Sequence, residues 1–216
     1  MTLCVAIDVD DTMAFLSHEI AKALSELSGK NIPYEQWWTH NWCELYGMEA
    51  SVMQQHVRTT VDYSSLEPTS HLWSEFHRVL VNMGVKPVYI TARGTLLGKE
   101  QALAITRHWL NSIDVPATDE NIMPVGWGQG KGKTLKALDY VVMASIDDHH
   151  REVEGYIKEF PRAHNCLVDS PVNKNIRERE GLTWMESRVP IYGIQDIALM
   201  KSHIERTIEV WYVSHQ

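Results

Sequence analysis

The sequence predicts an α/β protein, with a parallel sheet flanked by helices and a small helical cap inserted after the first strand. Three observations lead there. Apolar runs of strand length alternate with stretches of helical periodicity. The first run, Leu3-Cys4-Val5-Ala6-Ile7, shows no polar alternation, as in strands buried on both faces, and Asp8-Val9-Asp10-Asp11-Thr12 follows it at once. The helical stretch between the first and second strands is too long for a minimal βα unit.

Taken in order, residues 18–28 place Ile20, Ala21, Leu24 and Leu27 at helical spacing, with Gly29 as the C-cap. Residues 34–47 are aromatic-rich, and helices are predicted over 49–60 and 70–83, the latter ending at Gly84. Strands follow at 87–90 and 121–125, separated by a helix over 99–111. A helix over 133–138, a strand over 140–146, a further helix and a strand over 164–168 continue the alternation. An amphipathic helix over 193–210 closes the chain. Strands alternating with helices imply a parallel, Rossmann-like sheet with right-handed crossovers. The catalytic core is assigned to 1–13 and 67–216, and the cap to 14–66.

Composition narrows the classes. With 216 residues, 44% hydrophobic and 22% charged, the chain is long enough for one core domain and an insertion. No apolar run approaches the roughly 20 residues of a membrane span. Three widely spaced cysteines, Cys4, Cys43 and Cys166, point to free thiols and to the cytoplasm. The net charge of −8 disfavours long nucleic acid, which is bound through clustered Lys and Arg. A small phosphorylated ligand remains compatible.

Asp8 and Asp10, two apart in extended chain, point the same way at the carboxyl end of a strand, where open α/β sheets bind ligands. Carboxylates so close repel one another, and a hard divalent cation relieves them. Three further features fall on the same sheet edge. Thr91-Ala92-Arg93 follows the second strand, Lys133-Thr134 opens the helix ahead of the 140–146 strand, and Asp147-Asp148 ends that strand. Each has a plain structural alternative: a helix cap, a strand-to-helix turn, or a solvated lysine among Lys131, Lys133 and Lys136.

Taken together as DVDDT (8–12), YITAR (89–93), GKGKT (130–134) and SIDDHH (145–150), these segments resemble the four motifs of the haloacid dehalogenase-like (HAD) superfamily. The resemblance covers residues 1–13 and 67–175. It implies a Rossmann-like HAD core and a Mg²⁺-dependent phosphomonoesterase working through an aspartyl-phosphate. Asp8 would attack phosphorus and Asp10 would serve as acid and then base. Thr91 and Lys133 would hold the transferring phosphoryl oxygens. The metal would be bound by Asp8, the Asp10 carbonyl and Asp147, with Asp148 assisting. Lys133 is preferred over Lys131 because it opens the helix.

The cap position and the segment Asp169-Ser170-Pro171-Val172-Asn173 are similar to the 5′(3′)-deoxyribonucleotidase group. A small phosphorylated substrate, a nucleotide, is therefore expected. Two departures bear on substrate choice: Asp11 replaces the group's Gly, and Ala14-Phe15-Leu16 stands where that group has A-D-F. A second resemblance is to the phosphatase domain of phage polynucleotide kinases, a 3′-phosphatase, through Thr91-Ala92-Arg93-Gly94 and Arg107-His108-Trp109-Leu110. A third reading is a non-enzymatic phosphoryl-ligand binder.

For the substrate pocket the candidates are Phe15, Trp38, Trp42, Ala92 and Arg93, whose guanidinium suits a phosphate. The cluster of Trp37, Trp38 and Trp42 either roofs a nucleobase or packs the cap's own core. The C-terminal helix either covers the core, as expected, or serves a homodimer.

Overall fold

The computed structural model describes residues 2–180 and 189–214. Its strands are β1 (Thr2–Asp8), β2 (Lys86–Thr91), β3 (Ile122–Pro124), β4 (Tyr140–Asp147), β5 (His164–Asp169) and β6 (Ile191–Gly193). They form one all-parallel sheet in the order β3-β2-β1-β4-β5-β6. The chain builds outward from β1 to β3, then crosses over and builds outward from β4 to β6. β1 and β4 therefore flank the switch point, where open sheets leave a crevice at their carboxyl ends. The expected parallel α/β architecture is borne out.

β1 explains its own burial. Cys4, Val5, Ala6 and Ile7 are all essentially inaccessible, because helices cover both faces of the sheet. Val5 and Ile7 join one cluster with Trp73, Phe76, Trp109 and Ile204. Cys4 and Ala6 point the other way, into a cluster with Leu135 and Tyr156. By strand alternation Asp8 continues the Cys4–Ala6 face. That face is covered by α7 (Lys131–Ala137) and α8 (His150–Glu159).

Between β1 and β2 lie α1 (Leu16–Ser28), α2 (Trp42–Tyr46), α3 (Ala50–Thr60) and α4 (Trp73–Asn82). Gly29 caps α1 in the left-handed region, at φ 69°. Asp11 takes φ 59° and accepts hydrogen bonds from the Ser17 amide, at 2.7 Å, and from the Ser17 hydroxyl. Its carboxylate thus satisfies a free amide in the first turn of α1, whose N-cap residue is Phe15. Trp37 packs edge-on to Tyr34 and Tyr46, is 1% exposed, and belongs to the same apolar cluster as Val5 and Ile7 of β1.

After β2 come α5 (Gly94–Leu97) and α6 (Lys99–Ser112), then α7 and α8, α9 (Pro171–Glu180) and α10 (Ile197–Ser214). Ile197, Met200, Ile204 and Ile208 are buried, so α10 packs on the core. It starts later than residue 193 because Ile191–Gly193 is the edge strand β6, too short to show a periodicity in sequence. No described helix is long and apolar enough to cross a membrane.

Candidate active site

Asp8 ends β1, is 2% exposed, and accepts a hydrogen bond from Lys131 Nζ at 2.5 Å. The same ammonium donates to Asp147 Oδ2 at 2.8 Å. The Thr12 hydroxyl donates to the other Asp8 oxygen at 3.2 Å. Asp147 is held by the His149 amide at 3.0 Å, and Asp148 follows it at the end of β4. Asn173, in α9, donates to the Asp148 carbonyl and to the Val168 carbonyl, which ties the Asp-Ser-Pro-Val-Asn segment to this loop.

Asp8, Asp147 and Asp148 bring carboxylate oxygens within 4.8 Å of one another, all buried. Burial pushes each of these carboxyls above its ordinary range, and each feels the repulsion of neighbouring acids. Burial alone would lower Lys131, but Asp147 and Asp8 outweigh it and hold the ammonium charged. One cation thus faces three buried carboxylates. The surplus of negative charge and the all-oxygen donor set fit a Mg²⁺ ion.

Lys131 occupies the place expected for Lys133, which is exposed. The reason is helical geometry. Residues 131 and 133 sit about 200° apart around a helix, so only one can face the sheet. Leu135 is fully buried and lies four residues after Lys131, which marks the inward face. That spacing is legible in the sequence. Gly132 adds to it, since a Cβ there would lie 3.0 Å from the Gly155 carbonyl oxygen and α7 approaches α8 closely. Glu152 of α8 accepts from the Lys131 amide at 2.8 Å and caps α7.

Asp10 has different partners. Thr91 Oγ1 donates to its Oδ2 at 2.8 Å, and Arg93 Nε donates to its Oδ1 at 2.8 Å. Both Thr91 and Arg93, expected on the substrate phosphate, are therefore engaged with Asp10. Asp10's side chain stands outside the three-carboxylate group.

These residues open into a cavity of about 680 Å³, a size that suits a small-molecule ligand. Of the expected pocket residues, Trp42, Ala92 and Arg93 line it. Phe15 and Trp38 do not: Phe15 packs edge-on to His18 with ring centroids 5.3 Å apart, and Trp38 is a surface side chain, 36% exposed. Sequence reasoning missed Trp127, which lines the cavity from the loop after β3 and meets Trp42 edge to face at 5.9 Å. Its signal is the composition of Gly126-Trp127-Gly128-Gln129-Gly130, a lone indole on a glycine-rich loop. The Trp127 amide donates to Thr95 Oγ1 at 2.8 Å and fixes that loop. His40 and His149 also line the cavity, stacked at 4.4 Å. Burial pushes them down to about 4 and about 2, so both rings are neutral at physiological pH.

Fold and site together define an α/β protein with a polar, carboxylate-rich centre at the switch point of a parallel sheet. No protein-family model and no curated protein matches the chain. Solved structures similar to it include three hydrolytic proteins, one of them a HAD-superfamily hydrolase. A subfamily IA HAD-superfamily hydrolase from Geobacter sulfurreducens shares 12% identity, covering 84% of this chain and 96% of that one, with a TM-score of 0.47. The L-2-haloacid dehalogenase from Xanthobacter autotrophicus shares 14%, covering 91% and 97%, with a TM-score of 0.49. Phosphoserine phosphatase from T. onnurineus shares 16%, covering 95% of each chain, with a TM-score of 0.43.

Proposed function

We propose that this chain is a Mg²⁺-dependent phosphomonoesterase of the HAD type, acting on nucleoside monophosphates through an aspartyl-phosphate on Asp8. The observation that carries the reading is the division of labour between the two acids. Asp8 sits with Lys131, Asp147 and Asp148, whereas Asp10 sits apart with Thr91 and Arg93. In the first step an Asp8 oxygen attacks phosphorus, the bond to the leaving oxygen breaks, and Asp10 gives that oxygen a proton. In the second, Asp10 takes a proton from water as the water oxygen attacks phosphorus and the bond to Asp8 breaks. Lys131 neutralises the equatorial oxygens throughout. Asp8, Asp147 and Asp148 would hold the Mg²⁺, which supplies charge neutralisation for a dianionic substrate.

Dehalogenation is the competing reaction on such a scaffold. A halide leaves without a proton and a haloacid is a monoanion with no phosphoryl group to neutralise, so Asp10 would have no acid role in the first step and the three-carboxylate group no metal-borne task. Support for a nucleotide comes from Trp42 and Trp127, whose faces offer stacking surfaces for a base. The cavity wall mixes Lys133, Arg151 and Lys158 with Glu154 and Glu159, which favours a small ligand over a long polyanion.

The test is a phosphate-release screen over nucleotides, sugar phosphates and 3′-phosphorylated oligonucleotides, with Mg²⁺ and with a chelator. Metal-dependent release, fastest from nucleoside monophosphates, is expected. Halide release from 2-haloacids without phosphate release would overturn the reaction, and preference for the oligonucleotides would overturn the substrate. Within the same screen, Trp127→Ala is expected to raise KM for nucleotides by about tenfold, the worth of one base–aromatic stack. KM for glycerol phosphate, which has no ring to stack, should stay put. Equal changes for both substrates would remove Trp127 from base recognition.

A further inference from the structure

Arg93 lines the cavity, yet its side chain is only 1% exposed; its Nε and Nη1 are hydrogen-bonded to protein side chains, and its buried Nη2 makes an ion pair without a hydrogen bond. Nε donates to Asp10 Oδ1 at 2.8 Å, Nη2 lies 2.7 Å from that same oxygen, and Nη1 donates to Thr106 Oγ1 at 3.4 Å. The cation lies over the rings of Tyr63, at 5.4 Å, and Trp109, at 5.9 Å. Trp109 is itself anchored through its indole N–H to the Leu66 carbonyl at 2.8 Å. The Arg93 amide donates to Thr91 Oγ1 at 3.1 Å, and that hydroxyl donates to Asp10 Oδ2. Both oxygens of Asp10 are therefore held by one short segment, Thr91 to Arg93, and that segment is braced by α6 and by Tyr63 after α3.

We propose that Arg93 is a positioning residue, holding the carboxylate of Asp10 in the orientation needed for proton transfer rather than binding the substrate phosphate. A cation braced by aromatic faces and a hydroxyl is held in place, and its Nε hydrogen bond to Asp10 Oδ1, with the Nη2 charge 2.7 Å from the same oxygen, orients that carboxylate. A phosphate ligand that took the guanidinium would strip Arg93 from Oδ1 and leave Asp10 held by Thr91 alone. The proposal rests on the phosphomonoesterase reading above.

The experiment compares leaving groups. Arg93→Met keeps an unbranched apolar chain in the aromatic slot, and Arg93→Lys keeps the charge without the fork. Glycerol phosphate needs a proton on its leaving alkoxide, whereas p-nitrophenolate departs without one. For Arg93→Met, turnover of glycerol phosphate is expected to fall about 100-fold, the low end of general acid–base catalysis, with KM within about threefold. With p-nitrophenyl phosphate the variant should release a burst of nitrophenolate stoichiometric with enzyme, then turn over slowly, because hydrolysis of the aspartyl-phosphate still needs an oriented base. Arg93→Lys should recover part of the glycerol phosphate activity. Should Arg93→Met fail to fold, Thr106→Val removes only the Nη1 anchor and should give the same ordering at smaller amplitude. Uniform loss on both esters with a strongly raised KM and no burst would place Arg93 on the substrate, and unchanged kinetics would leave it without a role. Either overturns the proposal while wild-type turnover keeps the phosphatase reading. A wild type that releases phosphate from neither ester overturns both.

Discussion

Replacing Asp8 by Asn should abolish phosphate release, by about 10⁴-fold or more in kcat, the scale seen when a covalent nucleophile is removed. The less obvious half of the result concerns stability. Burial pushes the Asp8 carboxyl well above its ordinary range despite Lys131. A carboxyl whose folded-state value is raised loses stability as the pH climbs from the ordinary carboxylate range toward the folded value, and the full cost is present above that value. Asn removes the charge and the cost together. In chelator, Asp8→Asn should therefore melt no lower than wild type, and the gain in melting temperature on adding Mg²⁺ should shrink. Retained turnover would remove Asp8 as the nucleophile. A large loss of thermal stability in chelator would show that the Lys131 ion pair outweighs the repulsion.

The second large effect is at Lys131. Its ammonium lies between Asp8 and Asp147 at 2.5 and 2.8 Å and is the one cation whose contacts with these carboxylates are seen among the described residues. Lys131→Met leaves buried carboxylates uncompensated, a change that costs about 3–5 kcal/mol in comparable settings. The variant should melt well below wild type in chelator, regain part of the loss with Mg²⁺, and lose phosphatase activity. Lys133→Met, at a side chain exposed on α7 and on the cavity wall away from Asp8, should change stability and kcat little, with its effect confined to KM. Differential scanning calorimetry with and without metal, paired with the phosphate assay, distinguishes the two lysines. The reverse ranking would return the phosphoryl-binding role to Lys133.

The sheet was readable because its strands are short apolar runs buried on two faces, a pattern that needs no partner to be recognised. The carboxyl edge as the place of the site followed from where the acids stand, whereas the strand order came from the structure. What escaped was set by three-dimensional neighbours. β6 is three residues on an edge, and a run of that length has no period to detect. Lys131 and Lys133 are equivalent by composition, and only the buried face defined by Leu135 separates them. Arg93 suits either a phosphate or a carboxylate by chemistry, and its commitment to Asp10 depends on the slot made by Tyr63 and Trp109, which lie 30 positions upstream and 16 downstream in the chain. Trp38 and Trp127 illustrate the same limit, since indoles alike in type end on the surface and on the cavity wall respectively.

The place of β1 in the middle of the sheet also governs when the site can come into being. Its two neighbours are β2 and β4, and the contacts that build the centre span 81 residues from Asp10 to Thr91 and 123 from Asp8 to Lys131. Such separations carry a heavy loop-closure entropy, so folding is slow and a partly folded chain with only local helices holds no fragment of the centre. Four sequence-distant segments must arrive before the centre is complete. Recovery of activity on refolding is therefore a clock for the last global step, and no truncation short of β4 leaves a working remnant.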